Sequence, residues 1–404
     1  MKKYDEYKDS GVAWIGDVPK HWEILRGKYV LNILSGFPFD SQKFEFEDNG
    51  VYMPLIRIRD INCSSTEVYY SGSYPIESVV KTGEVLIGMD GDFNISKWKG
   101  TNSLLNQRVC KLREDSSMNT HYAFYMLSSP LKAINSVTYA TTVKHLSVYD
   151  IYNAFIPVPP ISEQAAISTY LDTHCAKIDN LISIQQKRIA LLQELKQSVI
   201  THAVTKGLNP NVEMKQSGVE WIGDVPKHWE VMPFKRAMTI YNGSDYKHIQ
   251  VDVAGYPVIG SGGEFARASQ YVYDGEVVLL GRKGTIDKPM YYNGKFWTVD
   301  TMFYAIPKKH VNCKYLYYQA LIIPFDRYAT STALPSMTQT DLNFNIIGLP
   351  PTVEQAAIAS YLDHKCATID TSISNAQHQI ELLQEYKQSL ITEVVTGKRK
   401  VTDN

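Results

Sequence analysis

One long stretch is written twice in this chain, and it limits the fold more than anything else in the sequence. Residues 159–205 begin PPISEQAAISTYLD and residues 350–396 begin PPTVEQAAIASYLD, aligning without a gap at a constant offset (350 − 159 = 191). Both copies read as helix: a proline pair precedes the start, Ala, Leu, Gln and Glu fill the interior, and Gly207 or Gly397 follows the end. Thr352 and Gln355 have capping-box spacing, although Ile161 stands where the first copy would need the hydroxyl. In the second copy Ile369, Ile373, Ala376, Ile380, Leu383, Leu390 and Val394 recur at steps of three, four or seven, a seam with a 3.5-residue period. Ile178, Ile182, Gln185, Ile189, Leu192, Val199 and Ala203 take the same slots in the first copy. Lys196 and Lys387 interrupt the seam at equivalent places, where a polar residue fixes register at some cost in stability. Two ordinary core helices are the alternative, but about 40 residues at 1.5 Å each span roughly 60 Å, long for a globular helix. The spacing therefore predicts an intramolecular antiparallel coiled coil serving as a spacer.

A chain of 404 residues with 44% hydrophobic content has room for two or three cored domains. No apolar run reaches membrane-spanning length, and no signal-peptide core follows MKKYDEYKDS, so no membrane association is expected. Five cysteines without a CxxC pair point to a reducing compartment, the cytoplasm, and away from a zinc site. Cys175 and Cys366, equivalent in the two helices, read as small packing residues. A formal charge of −1 argues against a protein that grips nucleic acid unaided, yet leaves room for locally basic faces or for partners that supply the rest.

A second repeat precedes each helix copy. Residues 10–23 read SGVAWIGDVPKHWE and residues 217–230 read SGVEWIGDVPKHWE, at an offset of 207 (217 − 10), so the intervening segment is 16 residues longer in the first half (207 − 191). Trp14, Trp22, Trp221 and Trp229, with Pro19 and Pro226, read as a turn carrying apolar anchors. These anchors either pack against the helix pair or form a docking surface for an identical partner on each half.

Two variable regions, from about residue 24 to 157 and from about 231 to 348, alternate apolar runs with Gly, Asn, Asp and Pro. YMPLIRIRDI (52–61), GEVLIG (83–88), YPVIG (256–260) and GEVVLLG (275–281) read as strands, and one helix is expected near 118–134 and one near 311–321. The resulting class is α+β. Two mostly-β regions, each with a small helical part, are separated by the antiparallel coiled coil and related by a pseudo-twofold internal repeat. The expected boundaries are 1–157 and 209–349 for the repeat segment plus variable region, and 158–208 and 350–404 for the two spacer helices with the tail.

Catalytic constellations are missing. Residues 255–261 (GYPVIGS) lack the lysine of a phosphate loop, and no HExxH, GxSxG or Asn-Pro-Pro-aromatic motif occurs. The run from Asp90 to Asn94 imitates a calcium loop, but Ile95 and Thr101 stand where it needs glycine and glutamate. The ten histidines show no ligand spacing, and no metal site is expected.

Groups suited to base edges and phosphates are present. In the second region Arg282, Lys283, Thr285 and Lys288 occupy a loop after a strand, and Lys and Arg outnumber Asp and Glu there by 12 to 9. Arginine can pair bidentately with guanine, while lysine holds phosphate. The first region balances at 13 to 13, and its equivalent loop offers Asp90, Asp92, Asn94, Lys97 and Lys99, followed by Gln107 and Arg108. Asn and Gln suit adenine, and a carboxylate can accept from a cytosine amine. Arg57 and Arg59 are further candidates from the strand at 52–61. Matched segments at 141–151 and 331–342 set Lys144 and His145 against Pro335 and Ser336. They read equally as a DNA-touching loop or as a capped turn into the last strand.

This order of parts resembles the specificity (S) subunit of Type I restriction–modification systems. The motifs are SGVxWIGDVPKHWE twice, PPxxEQAAIxxYLD twice, and QELKQSVIT with QEYKQSLIT closing the helices; together they cover essentially the whole chain. The resemblance implies that each variable region is a target recognition domain reading one half of a bipartite site in double-stranded DNA. It also implies two modification subunits that methylate adenine with S-adenosylmethionine, and restriction subunits that use ATP and Mg to translocate and cleave. The chain itself would then hold no cofactor and no active site. The competing class is an assembly scaffold whose variable regions bind other proteins; specific duplex binding that falls steeply with salt would separate the two.

The seam from Ile178 to Ala203 is about 39 Å long at 1.5 Å per residue, close to one DNA turn of roughly 34 Å. Inserting a few residues into both helices is therefore expected to change the gap between half-sites while leaving each half intact. Sequencing of methylated adenines in such a variant checks this, and an unchanged gap contradicts the spacer.

Overall fold

The computed structural model describes residues 2–137, 144–327 and 335–401. Among them are six α-helices: α1 (Thr120–Val137), α2 (Val148–Asn153), α3 (Ile161–Lys206), α4 (Cys313–Ala320), α5 (Gln339–Phe344) and α6 (Thr352–Val395). The chain divides into two compact units, Met1–Ile184 with Gln379–Asn404, and Gln185–His378. Each unit thus takes one half of α3 and the complementary half of α6.

Within each unit the helix halves run antiparallel. In the first, Arg399, just past α6, reaches the Tyr170 hydroxyl, while Lys387 Nζ meets both oxygens of Asp179 at 2.6 and 2.7 Å. In the second, Lys196 Nζ meets both oxygens of Asp370 at 2.7 Å, and Gly207 lies beside Glu354. The two Lys–Asp pairs share one register (179 + 387 = 196 + 370 = 566). The lysines that interrupt the apolar seam are thereby answered by acids from the facing helix. Each pair is partly exposed and stabilises by only about 0–1 kcal/mol. Their larger effect is on register, since a slipped seam would lose both partners.

The predicted seam residues are covered. Ile178, Ile369 and Leu390 are buried, and Ile182, Ile189, Leu192, Val199, Ile373, Ile380 and Leu383 are half-buried, while Leu181, Ile184, Leu191 and Leu195 on the same helix are exposed. Cys175 and Cys366 are buried, as packing residues should be. Gly207 and Gly397 end the helices with φ of +76° and +72°, a left-handed turn that favours glycine.

The helix starts differ from the sequence reading. Thr352 forms no capping box: it is the first residue of α6, and its hydroxyl donates to the His310 carbonyl at 3.0 Å. Instead the buried amide of Gln355 donates to the Pro350 carbonyl (2.8 Å) and accepts from the Asn312 backbone (2.8 Å). Gln164 does the same with Pro159 and Asn119 (2.9 and 2.8 Å). Each glutamine ties the start of a long helix to the entry of a shorter one, so a cap hydroxyl is unnecessary in either copy.

The tryptophan turns pack against these ends. Trp22 is fully buried, donates Nε1–H to Glu163 at 3.1 Å and lies against Gly397, while Trp229 is buried, donates to Glu354 at 3.1 Å and lies against Gly207. Trp14 and Trp221 are half-buried. The near-identity of the two motifs is explained by this shared contact within each unit.

Each unit is built on the same four strands. In the first the order is Ile95–Lys97, Val85–Gly88, Val109–Arg113, Asn32–Ser35. A separate five-stranded sheet runs Phe44–Glu45, Tyr69–Tyr70, Met53–Ile56, Ser103–Leu105, Val79–Val80. In the second unit a single sheet runs through seven strands: Met238–Asn242, Met302–Pro307, Tyr273–Gly281, Met290–Thr298, Tyr256–Gly260, Gly263–Ala268, Gln250–Val251. The nine-residue strand Met290–Thr298 is long enough to pair with both Tyr273–Gly281 and Tyr256–Gly260. Its counterpart Ile95–Lys97 has three residues and stops at the first sheet. The expected strand at 52–61 is also shorter than its apolar pattern. It ends at Ile56, where Arg57, Ile58, Arg59 and Asp60 turn into a single 3-10 turn closed by the Asp60 carboxylate on the Arg57 backbone (2.9 Å).

Candidate nucleic-acid interface

In each unit the last residue of the central strand feeds a loop that is stitched by backbone hydrogen bonds to two other segments. In the first unit Met89 N donates to Arg108 O (2.9 Å), Leu146 N to Met89 O (2.7 Å) and Gly91 N to Lys144 O (2.9 Å). In the second, Arg282 N donates to Thr301 O (2.9 Å), Met337 N to Arg282 O (2.9 Å) and Gly284 N to Pro335 O (2.9 Å). Isolated bridges Asp90–His145 and Lys283–Ser336 complete the match. The loop pairs nominated separately from sequence are thus brought together, and a turn (106–108 or 299–301) forms a third wall. The segments at 144–146 and 335–337 lead into α2 and α5, each started by a capping box, Ser147 with Asp150 and Thr338 with Asp341. A capped turn and a loop at the site are therefore the same stretch. Residues 141–143 and 331–334 of the nominated segments lie outside the described residues.

Glycine makes the third wall possible. A Cβ on Gly36 would stand 2.0 Å from Asn106 O, and one on Gly243 would stand 2.1 Å from Val299 O, so the turn can approach only a bare backbone. Sequence reasoning missed the second turn, with Asp300 and Thr301. The signal was available, because Gly36 and Gly243 share the 207-residue offset of the tryptophan motifs (243 − 36).

The side chains differ sharply between units. In the first, Asp90 is one-fifth exposed, and its carboxylate sits 2.7 Å from His145 Nδ1 and 3.3 Å from Arg108 Nη1. Arg108, His145 and Gln107 are exposed. Asp90 therefore does not offer an open acceptor to a cytosine amine, as its place in the loop suggested; two cationic or polar side chains already occupy it. Lys144 also turns inward, donating to the Asn135 carbonyl and side-chain oxygens at 2.6 and 3.1 Å. Asp92 and Asn94 are exposed on the loop, which the Gly88–Asn94 backbone bond closes at 2.8 Å.

Lys97 and Lys99 lie elsewhere. The Lys97 ammonium pairs with Asp172 on α3 at 2.7 Å, and both lysines line a separate cleft with Tyr125 and Asp172. Burial pushes the Asp172 carboxyl up, but hydrogen bonds from Lys97 and Tyr125 more than offset this and hold it below the usual carboxylate range. The equivalent Asp363 receives Lys314 and the Tyr318 hydroxyl. Lys97 is thus a tie to the helix, with its cation supplied from a strand where the second unit supplies one from α4. Arg57 is occupied by Asp60 and Glu67, each at 3.4 Å, and Arg59 is exposed on the same turn. The Ile58 side chain of that turn lies 3.3 Å from where a Cβ of Gly88 would stand, beside the same strand end.

In the second unit Arg282 Nη1 donates to the Asp300 carbonyl (3.2 Å), and its guanidinium carbon lies 5.8 Å from the Phe303 ring centre. Lys283 and Lys288 are exposed and Thr285 is half-buried. Arg282, Lys283, Ser336, Asn242, Phe303 and Gln339 line a cleft of about 410 Å³. Asn242 and Gln339 were not singled out from sequence; they arrive from a strand end and from α5. Such a mixture of fork-shaped donors, amides and one ring suits base edges and phosphates. No cluster of His, Cys, Asp and Glu able to hold a metal ion occurs among the described residues.

Known proteins share this fold. A solved chain from a study of complex assembly and conformational transition of the type I R-M system superposes with a TM-score of 0.71 at 16% identity, covering 94% of this chain and 98% of that one. The Type I restriction enzyme EcoBI specificity subunit of Escherichia coli is 40% identical over 205 residues, 50% of this chain and 42% of that subunit. The MjaVIII specificity subunit of Methanocaldococcus jannaschii is 24% identical over 95% of this chain and 94% of its own length. The family model for the type I restriction modification DNA specificity domain matches residues 19–194 and again 226–382. With most of its length matched in two copies, the chain belongs to the family of type I restriction modification DNA specificity domains.

Proposed function

We propose that this chain is the DNA-recognition subunit of a type I restriction–modification system, each unit reading one half of a bipartite duplex target. The observation that carries this reading is the three-segment site, built twice on the same backbone and furnished with different side chains. A shared frame gives both units the same way of meeting a groove, while the divergent side chains give them different sequences to read. The recognition domains correspond to residues 1–157 and 209–349, and the spacer helices to 158–208 and 350–404. The chain contributes no reacting group. Two modification subunits, with S-adenosylmethionine, methylate adenine, and restriction subunits, with ATP and Mg, translocate and cleave. Five free cysteines, one of them exposed, support a reducing compartment such as the cytoplasm. No helix among the described residues is long and apolar enough to cross a membrane.

Arg282→Ala is expected to relax or abolish selection at the half-site read by the second unit, by about 1–3 kcal/mol, with the other half retained. Sequencing of methylated adenines in a host carrying the variant reads both halves at once. Equal loss at both halves, or no change at either, contradicts the assignment. Binding to a matched duplex should also fall steeply as salt rises.

A further inference from the structure

The arginine of the site comes from opposite walls in the two units. In the second unit it is on the loop (Arg282) and leans on the turn through the Asp300 carbonyl. In the first it is on the turn (Arg108) and leans on the loop through the Asp90 carboxylate. The backbone places are equivalent, since Met89 N bonds Arg108 O as Arg282 N bonds Thr301 O. We infer that Arg108 is the guanine-reading residue of the first unit and that Asp90, clamped by His145, is a positioning residue for it. This inference rests on the DNA-reading proposal above.

Three features support it. His145 Nδ1 holds Asp90 at 2.7 Å, so the carboxylate is fixed before Arg108 meets it at 3.3 Å. The described contact engages one terminal nitrogen of a guanidinium that is about half exposed (54%), and a planar fork pinned at one edge presents its other donors in a set direction. Finally, a carboxylate beside the fork repels the full charge of a phosphate more strongly than the partial charges of a neutral base edge. Guanine offers O6 and N7, two acceptors that match the fork bidentately in the major groove. A lysine occupies the place of Asp90 in the second unit, so Arg282 works there without an acid at that place.

The test uses the full chain assembled with its modification subunits and a pool of randomised duplexes, recovered by binding and sequenced, for wild type, Arg108→Ala, Arg108→Lys, Asp90→Asn and the double variant Asp90→Asn/Arg108→Ala. Arg282→Ala marks the other half. Arg108→Ala is expected to lower the preference for guanine at one position of the first half about ten- to hundredfold, leaving the half altered by Arg282→Ala intact. Arg108→Lys keeps the charge but loses the fork, and is expected to lose the same preference while retaining overall affinity. Asp90→Asn should weaken that position less, and should add nothing once Arg108 is alanine, which a merely structural role for Asp90 would not produce. Uniform loss across sequences in Arg108→Ala would make Arg108 a phosphate contact and overturn the inference. So would an effect of Asp90→Asn on base preference that persists without Arg108. A wild-type assembly that enriches no sequence sinks the DNA reading and this inference together; a wild-type motif untouched by Arg108→Ala sinks the inference alone.

Discussion

Trp22→Ala is expected to destabilise the first unit by about 3–5 kcal/mol, and Trp229→Ala the second by a similar amount. Both indoles are fully or almost fully buried, so truncation removes a large apolar surface and leaves a cavity against the end of a long helix. It also removes the Nε1–H donated to Glu163 or Glu354. Glu163 is itself buried and receives the Tyr4 hydroxyl and His21 as well, whereas Glu354 receives His228 besides the tryptophan. Trp22→Phe should recover most of the packing and expose the cost of the lost donor alone, about 1–3 kcal/mol. Because two units make a single unfolding midpoint ambiguous, amide hydrogen exchange followed by unit is the measurement of choice. Protection in the substituted unit should fall while the other unit is unchanged. A loss below about 1 kcal/mol would mean that the turn packs far less tightly than its burial indicates.

Gly36→Ala and Gly243→Ala form the second pair with large effects. The added methyl would meet backbone carbonyls at 2.0 and 2.1 Å, atoms that cannot rotate away as a side chain end can. The turn has to move, at a cost of about 1–3 kcal/mol or more. In the first unit that turn carries Gln107 and Arg108; in the second it carries the Asp300 carbonyl on which Arg282 rests. Gly36→Ala should therefore blunt selectivity at one half-site and Gly243→Ala at the other, with a modest fall in melting temperature for each. Recovery of bound duplexes from a random pool reads the selectivity. Unchanged motifs with lowered stability would show that the third wall does not touch DNA.

The frame of this molecule was legible because it is local and periodic. A 3.5-residue seam, glycine at each helix end and strands bounded by turn residues are all written within a few positions of where they act, and the duplication let each half check the other. The candidate site was legible only in outline. Lys97 looks like an exposed loop cation until Asp172, 75 residues away, takes it; Lys144 is likewise claimed by Asn135 and Asp90 by His145 and Arg108. Such partners depend on which segments fold together, which composition and spacing do not encode. The same limit explains the capping box, where spacing was right for Thr352 but a buried glutamine from the same turn met the proline carbonyl instead. The strand at 52–61 failed for a different reason: alternation of apolar residues persists from Ile56 to Ile58, yet Asp60 folds back on Arg57 and ends the pairing.

In the first unit Lys400 donates its backbone N–H to Lys2 at 3.0 Å, and the Tyr7 hydroxyl donates to the Gly397 carbonyl at 3.1 Å. The two extremities of the described backbone meet there, where the second unit carries the continuous connection from Gly207 to Glu213. Hydrogen bonds thus hold together in the first unit what an unbroken backbone holds in the second, so this corner of the first unit is the one expected to open first in local fluctuations.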